Sequence, residues 1–166
     1  MKELYLLRHA KSDWGNESLK DIDRHLNERG YSDAYAMSEW FANHHAAPDI
    51  LLCSPATRTI STGMIFMRAL ELEMQRFVPE AGIYEAHRDT LKEIISKQND
   101  VHNTLMLVGH NPGITDLCNA LQETLYFDNL PTCGLVKISG NCKHWKEFAA
   151  GRWQMSFYRF PKDYHN

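Results

Sequence analysis

Two hydrophobic periods take turns along the chain. Leu4 to Leu7 is an unbroken apolar run that reads as a buried strand, and it ends abruptly in Arg8-His9-Ala10-Lys11. Between Asn27 and His45 the residues Tyr31, Ala34, Tyr35, Met37, Ser38, Trp40 and Phe41 recur at spacings that give a helix one buried face, starting near Leu26 to Glu28. Pro48 closes that helix, and Asp49 to Ser54 forms a second buried strand. Pro55 then opens a helix from its first turn, running from Ala56 to about Met74 with Ile60, Met64, Met67 and Leu70 as its core stripe.

Phe77 to Pro79 is a short strand, followed by a loop (EAGIYEAHRD) and a helix from about Thr90 to Gln98. Thr104 to Val108 is the clearest strand, bounded by Gly109 and the turn-like Asn111-Pro112-Gly113, and a helix follows from Ile114 to Leu121. A loop holding Asp128, Asn129, Pro131 and Gly134 leads to alternating strands at Leu135 to Ser139 and Trp153 to Phe160, with Trp145 to Phe148 pairing with the latter around Ala150-Gly151. Strands alternating with crossover helices predict an α/β fold, a three-layer α/β/α sandwich with a mostly parallel central sheet. Residues 1–166 show no repeat or linker and suit one domain.

Such sheets bind ligands beyond the carboxyl ends of their strands, which makes three strand ends informative together. The first ends in Arg8-His9, the second in Ser54-Pro55 with Arg58 one helical turn on, and the third in Gly109-His110-Asn111. Two arginines and two histidines should therefore meet. Arginine offers a planar fork of donors suited to phosphate oxygens, and a neutral imidazole nitrogen is a competent nucleophile toward phosphorus. Cationic neighbours should keep His9 deprotonated, while His110 donates to the oxygens on which charge spreads in the transition state. The helix after Ser54-Pro55 should add its positive end.

Composition narrows the alternatives. Hydrophobic residues at 43% and charged residues at 23% suit a soluble globular protein, and a net charge of -3 argues against general nucleic-acid or membrane binding. The opening residues carry no cleavage site, and no segment approaches a membrane span. Cys53, Cys118, Cys133 and Cys142 lack CxxC spacing and read as buried, reduced thiols of a cytoplasmic protein. His44-His45 reads as a pair of solvated helix-end residues with no metal partner, and Met64, Met67 and Met74 as core packing. Trp14 is either buried or on the rim of the pocket, and His87, His102, His144 and His165 carry no usable pattern.

The stretches Leu6 to Trp14 (LLRHAKSDW), Ser54 to Thr62 (SPATRTIST) and Gly109 to Gly113 (GHNPG) together resemble the histidine phosphatase superfamily. Within it they are similar to the small SixA-type phosphohistidine phosphatases, and Asp23 to Gly30 resembles that group's D-R-x-L-x-x-x-G segment, with His25 where proline is common. The resemblance implies a phosphoglycerate mutase-like fold and a phosphatase that needs neither metal nor cofactor. It implies that His9 becomes phosphorylated, that Arg8 and Arg58 bind the phosphoryl group, and that His110 completes the pocket. Glu85 is the candidate acid for the leaving group, with Asp13 and Asp89 as alternatives. Phosphoglycerate mutases typically show RHGxSxxN, whereas Ala10 and Gly15 stand at the glycine and asparagine positions here, and 166 residues leave no room for the mutases' large insertions. The implied substrate is a phosphorylated protein side chain, phosphohistidine first, or else a small phosphoester; a phosphate-binding module that has lost catalysis is the non-enzymatic rival.

Overall fold

The computed structural model describes residues 1–164; His165 lies outside the described residues. Its strands are β1 (Lys2–Arg8), β2 (Ile50–Cys53), β3 (Phe77–Pro79), β4 (Thr104–Gly109), β5 (Leu135–Gly140) and β6 (Trp153–Arg159). Its helices are α1 (Glu28–His44), α2 (Thr57–Ala69), α3 (Arg88–Ser96) and α4 (Gly113–Leu121). They form one mixed sheet in the order β3-β2-β4-β1-β5-β6, parallel from β3 to β1, with β5 and β6 added antiparallel.

The period of two within the strands builds the layers. Leu4 and Leu6 of β1 face the same core as Leu105 and Leu107 of β4, where Leu91 and Ile95 of α3 and Ile114 and Leu117 of α4 cover them. Tyr5, Leu7, Met106 and Val108 face the opposite core, covered by Met37 and Phe41 of α1 and by Ile65 and Phe66 of α2. Helices therefore lie on both faces. The helices after β1 and β2 leave toward one face and the helix after β4 leaves toward the other, which opens a crevice at the carboxyl ends of these adjacent strands.

Several local expectations are corrected. Helix α2 stops at Ala69, because Glu71 adopts a left-handed conformation (φ 52°) while its N–H bonds Arg68 O and the Leu72 N–H bonds Met67 O. Its buried stripe is Thr59, Thr62, Ile65, Phe66 and Met67, with Ile60, Met64 and Leu70 packed at the margin and Met74 exposed. Two threonines can occupy that face because Thr59 Oγ1 donates to Ser54 O and Thr62 Oγ1 to Arg58 O, so no hydroxyl is stranded. Pro55 sits ahead of the helix, which has Ala56 at its cap.

Trp145–Glu147 is a short 3-10 turn rather than a strand, and β6 pairs with β5 instead. Trp145 is fully buried and anchored, its backbone N–H donating to Asp100 Oδ1 and its indole to His102 O. His44 is exposed as expected and donates to Trp40 O, but His45 is half-buried, stacked on Phe157 at 4.7 Å. Among the described residues, no group of three or more His, Cys, Asp or Glu converges to hold a metal. No helix there is long and apolar enough to cross a membrane. All four cysteines are buried free thiols.

Gly30 is one position where only hydrogen fits. Asn27 caps α1 by accepting from the Gly30 N–H at 2.8 Å, and a Cβ on Gly30 would lie 2.0 Å from the Lys11 carbonyl oxygen. Gly30→Ala must push the Lys11 segment away, with an expected cost of about 2 kcal/mol and a Tm lower by roughly 4–8 °C, read by thermal denaturation.

Candidate active site

The carboxyl end of β4 lies between those of β2 and β1. Backbone bonds set the order: His9 N–H donates to Gly109 O and Ser54 N–H to Val108 O, both at 3.1 Å. Cys133, itself left-handed (φ 60°), turns its N–H onto the carbonyls of Arg8 and His9 and closes the tip of β1 from the other side. Thr62 ties this tip to α2, since its hydroxyl accepts from Ala10 N–H at 3.0 Å and donates to Arg58 O at 2.8 Å. Arg8, His9, Arg58 and His110 thus line one cavity of about 530 Å³, as the strand ends predicted.

The His9 ring is oriented by its own backbone neighbourhood. Nδ1 lies 2.7 Å from Ala10 O, and because a carbonyl only accepts, Nδ1 carries the proton and Nε2 keeps its lone pair in the neutral ring. His9 is 7% exposed, and burial pushes its pKa down to about 3, with the Ala10 bond opposing and the charges of His110, Arg58 and Arg8 adding. Burial thus outweighs the cationic neighbours. His110, its ring centroid 5.3 Å away, is lowered to about 4, first by burial and then by Arg58. Its Nε2 lies 2.7 Å from Ser54 Oγ.

These shifts carry a sign for stability. Both imidazoles titrate near 6.5 in the unfolded chain and well below that when folded, so the unfolded state takes up protons first as pH falls. The contribution is complete above the unfolded value and is lost as pH falls from about 6.5 toward 4 for His110 and toward 3 for His9. At pH 5 the expected loss is about 2 kcal/mol per histidine. Urea denaturation at pH 7 and pH 5 checks this, and His9→Gln or His110→Gln should each flatten the slope.

The arginines are held in different ways. Arg8 Nη1 donates to Leu130 O at 2.7 Å. Arg58, with its side chain 6% exposed, donates to both the carbonyl (2.7 Å) and the carboxylate (3.0 Å) of Asp21. Asp21 also accepts from Arg24 at 3.1 Å and from the Tyr84 hydroxyl at 2.5 Å. The Tyr84 bond, then the two arginines, hold the Asp21 carboxyl far below the usual range against its partial burial, and Tyr84 is raised to about 12 by burial and by Asp21. Arg24 in turn bonds Ser12 Oγ and lies over the Trp14 ring at 3.6 Å. Trp14 is 74% exposed and rims the pocket.

The buried nitrogens Arg8 Nε, Arg24 Nε, Arg58 Nε and His110 Nδ1 have no hydrogen-bond partner among the described residues. All four belong to residues lining the same cavity. Buried polar atoms left unpaired are costly, and a tetrahedral oxyanion in the cavity would give the surrounding guanidinium groups acceptors.

The predicted carboxylates are not gathered in the same way. Glu85 is exposed, left-handed (φ 56°) and absent from the cavity wall, although its neighbour Tyr84 meets His110 edge-on at 5.5 Å. Asp13 is half-buried and accepts from Gly15 N–H at 2.7 Å, while Asp89 is exposed beside Arg88. Sequence reasoning passed over Asp21, Arg24 and Tyr84. Arg24 stood inside the D-R-x-L segment already singled out, whereas Asp21 and Tyr84 carried no signal, since a short 3-10 turn and a loop bring them in.

Residues 4–98 match the family model of the histidine phosphatase superfamily, branch 1. An uncharacterised chloroplastic protein of Arabidopsis thaliana is 30% identical over 167 residues, covering 93% of this chain and 75% of its own length. A crystal structure from Agrobacterium tumefaciens, assigned as a phosphohistidine phosphatase SixA, superposes with a TM-score of 0.81 at 27% identity, covering 96% of this chain and 98% of that one. The protein histidine phosphatase SixA complexed with tungstate shares the fold at a TM-score of 0.82 and 14% identity, covering 98% and 99% of the two chains. The chain belongs to branch 1 of the histidine phosphatase superfamily, is of the SixA type and is a metal-independent phosphatase.

Proposed function

We propose that the chain, acting as one cytoplasmic domain over residues 1–166, removes the phosphoryl group from protein phosphohistidine through a covalent intermediate on His9. One observation carries the reading: a buried, neutral His9, with Nδ1–H spent on Ala10 O, leaves Nε2 as the nucleophile in a cavity lined by Arg8, Arg58 and His110. Nε2 attacks phosphorus, the new N–P bond forms as the bond to the leaving imidazole breaks, and that imidazole takes a proton. Water then attacks the phosphorus of phospho-His9, giving up a proton as the N–P bond breaks and orthophosphate departs. Arg8 and Arg58 bind the phosphoryl oxygens, and His110 donates to them as charge spreads.

A phosphohistidine donor also relieves the demand for an enzymic acid. Asp21 stays ionised under its three donors and has no proton to give near neutral pH. Glu85 is exposed on the loop beyond Tyr84 and would have to reach the leaving group from outside the cavity wall. An imidazole leaving group can take its proton from solvent, whereas an alkoxide needs an acid close by. Phosphohistidine protein, phosphoserine peptide and small phosphoesters compared side by side should therefore rank in that order by kcat/KM, the first ahead by about a hundredfold or more. A small phosphoester in the lead would overturn the substrate assignment, and tight phosphate binding without turnover on any donor would favour a binding module.

A further inference from the structure

We infer that the site reads the polypeptide around the phosphorylated residue through a cationic groove that prefers acidic flanking side chains; the inference rests on the phosphohistidine reading above. The cavity over His9 abuts a second one of about 300 Å³, with Arg29 and Thr132 on the wall of both. A phosphoryl group on His9 fills only the inner end. Lys11, Arg24 and Arg29 line the rest of that cavity, and Arg29, Pro131, Phe160 and Lys162 line its neighbour.

Charge decides what fits this outer length. The chain is net negative at -3, yet among the described residues Lys11, Arg29 and Lys162, together with the Asp21-paired Arg24, line the groove beyond Arg8 and Arg58. Among the described residues Asp33 is the carboxylate on its wall, with its side chain 3% exposed and 3.7 Å from Arg29, whose own side chain is 64% exposed. An acidic segment is thus repelled by the molecule as a whole and drawn to this track, which is how complementary patches select a partner and its register. Phe160 and the two prolines, Pro131 and Pro161, give the far end an apolar surface for the body of a side chain. A compact phosphoester would leave that end untouched. An extended polypeptide reaches it, since about three residues span 10 Å.

The test uses the whole chain with three donors: free phosphohistidine, a phosphohistidine peptide flanked by aspartate and glutamate, and the same peptide carrying the corresponding amides. The acidic peptide should exceed the amide peptide in kcat/KM by about fivefold to tenfold at low salt, and the gap should close in about 0.5 M salt. Arg29→Gln with Lys162→Gln should remove most of that preference and leave free phosphohistidine unchanged. Lys162→Gln alone is the second variant, because Arg29 also faces Asp33. Equal kcat/KM for the two peptides overturns the inference, and so does a double variant that slows all three donors alike, which marks a structural role.

Equilibrium titration of both peptides onto His9→Ala reads the same preference without turnover. If no phosphohistidine donor is hydrolysed but the acidic peptide still binds more tightly, the substrate reading fails and the groove stands. If a small phosphoester with a second anionic group binds more tightly than the acidic peptide, the polypeptide assignment falls.

Discussion

His9→Ala lowers kcat by about a thousandfold or more on every phosphodonor, and the fold survives. Alanine removes the Nε2 nucleophile together with the Nδ1 bond to Ala10 O, but the strand end remains held by His9 N–H on Gly109 O and by Cys133 N–H on the Arg8 and His9 carbonyls. Folding is read from an unchanged circular dichroism spectrum, turnover from phosphate release. The wild type incubated with radiolabelled donor should yield an acid-labile, base-stable adduct at His9. An active wild-type enzyme that never labels there would count against the covalent route, and a His9→Ala variant retaining most of its turnover would end it.

Arg58→Ala is expected to lower kcat/KM by about a hundredfold to a thousandfold. Arg58 is nearly enclosed, and its guanidinium is aimed by two bonds to Asp21. Arg58→Lys should recover little, because an ammonium cannot hold the Asp21 carbonyl and carboxylate as a fork while meeting phosphoryl oxygens. Asp21→Asn separates aim from charge: the cation stays and its orientation loosens, so the loss should be smaller than for Arg58→Ala. Comparing Asp21→Asn, Arg58→Ala and the double variant in one cycle gives the coupling. Additive losses would mean that Asp21 does not act through Arg58.

Much of this site was legible because its residues stand where a strand stops. An apolar run breaking into Arg8-His9, another into Ser54-Pro55, and a third into Gly109-His110 each announce their own carboxyl end, and parallel topology brings such ends to one rim. What escaped prediction came from places with no period. Asp21 lies in a three-residue 3-10 turn, Tyr84 follows another, and they meet across 63 positions of chain. The end of α2 was misplaced for a related reason, since a left-handed turn is normally signalled by glycine and here it falls on Glu71. Trp145 misled by composition: its aromatic neighbourhood reads as strand, yet it lies in a 3-10 turn anchored by bonds to Asp100 and His102 and packed into the core on one face of the sheet.

Local chemistry was enough for the order of elements, the two apolar faces of the sheet, and the arrival of two histidines and two arginines at one end of it, because each follows from side-chain period and strand polarity. The protonation state of His9, the aiming of Arg58 by Asp21, the exposure of Glu85 and the cationic groove beyond Arg29 depend on distances between segments far apart in the chain. Desolvation and hydrogen bonding are set by those distances, and they exist only once the layers have closed.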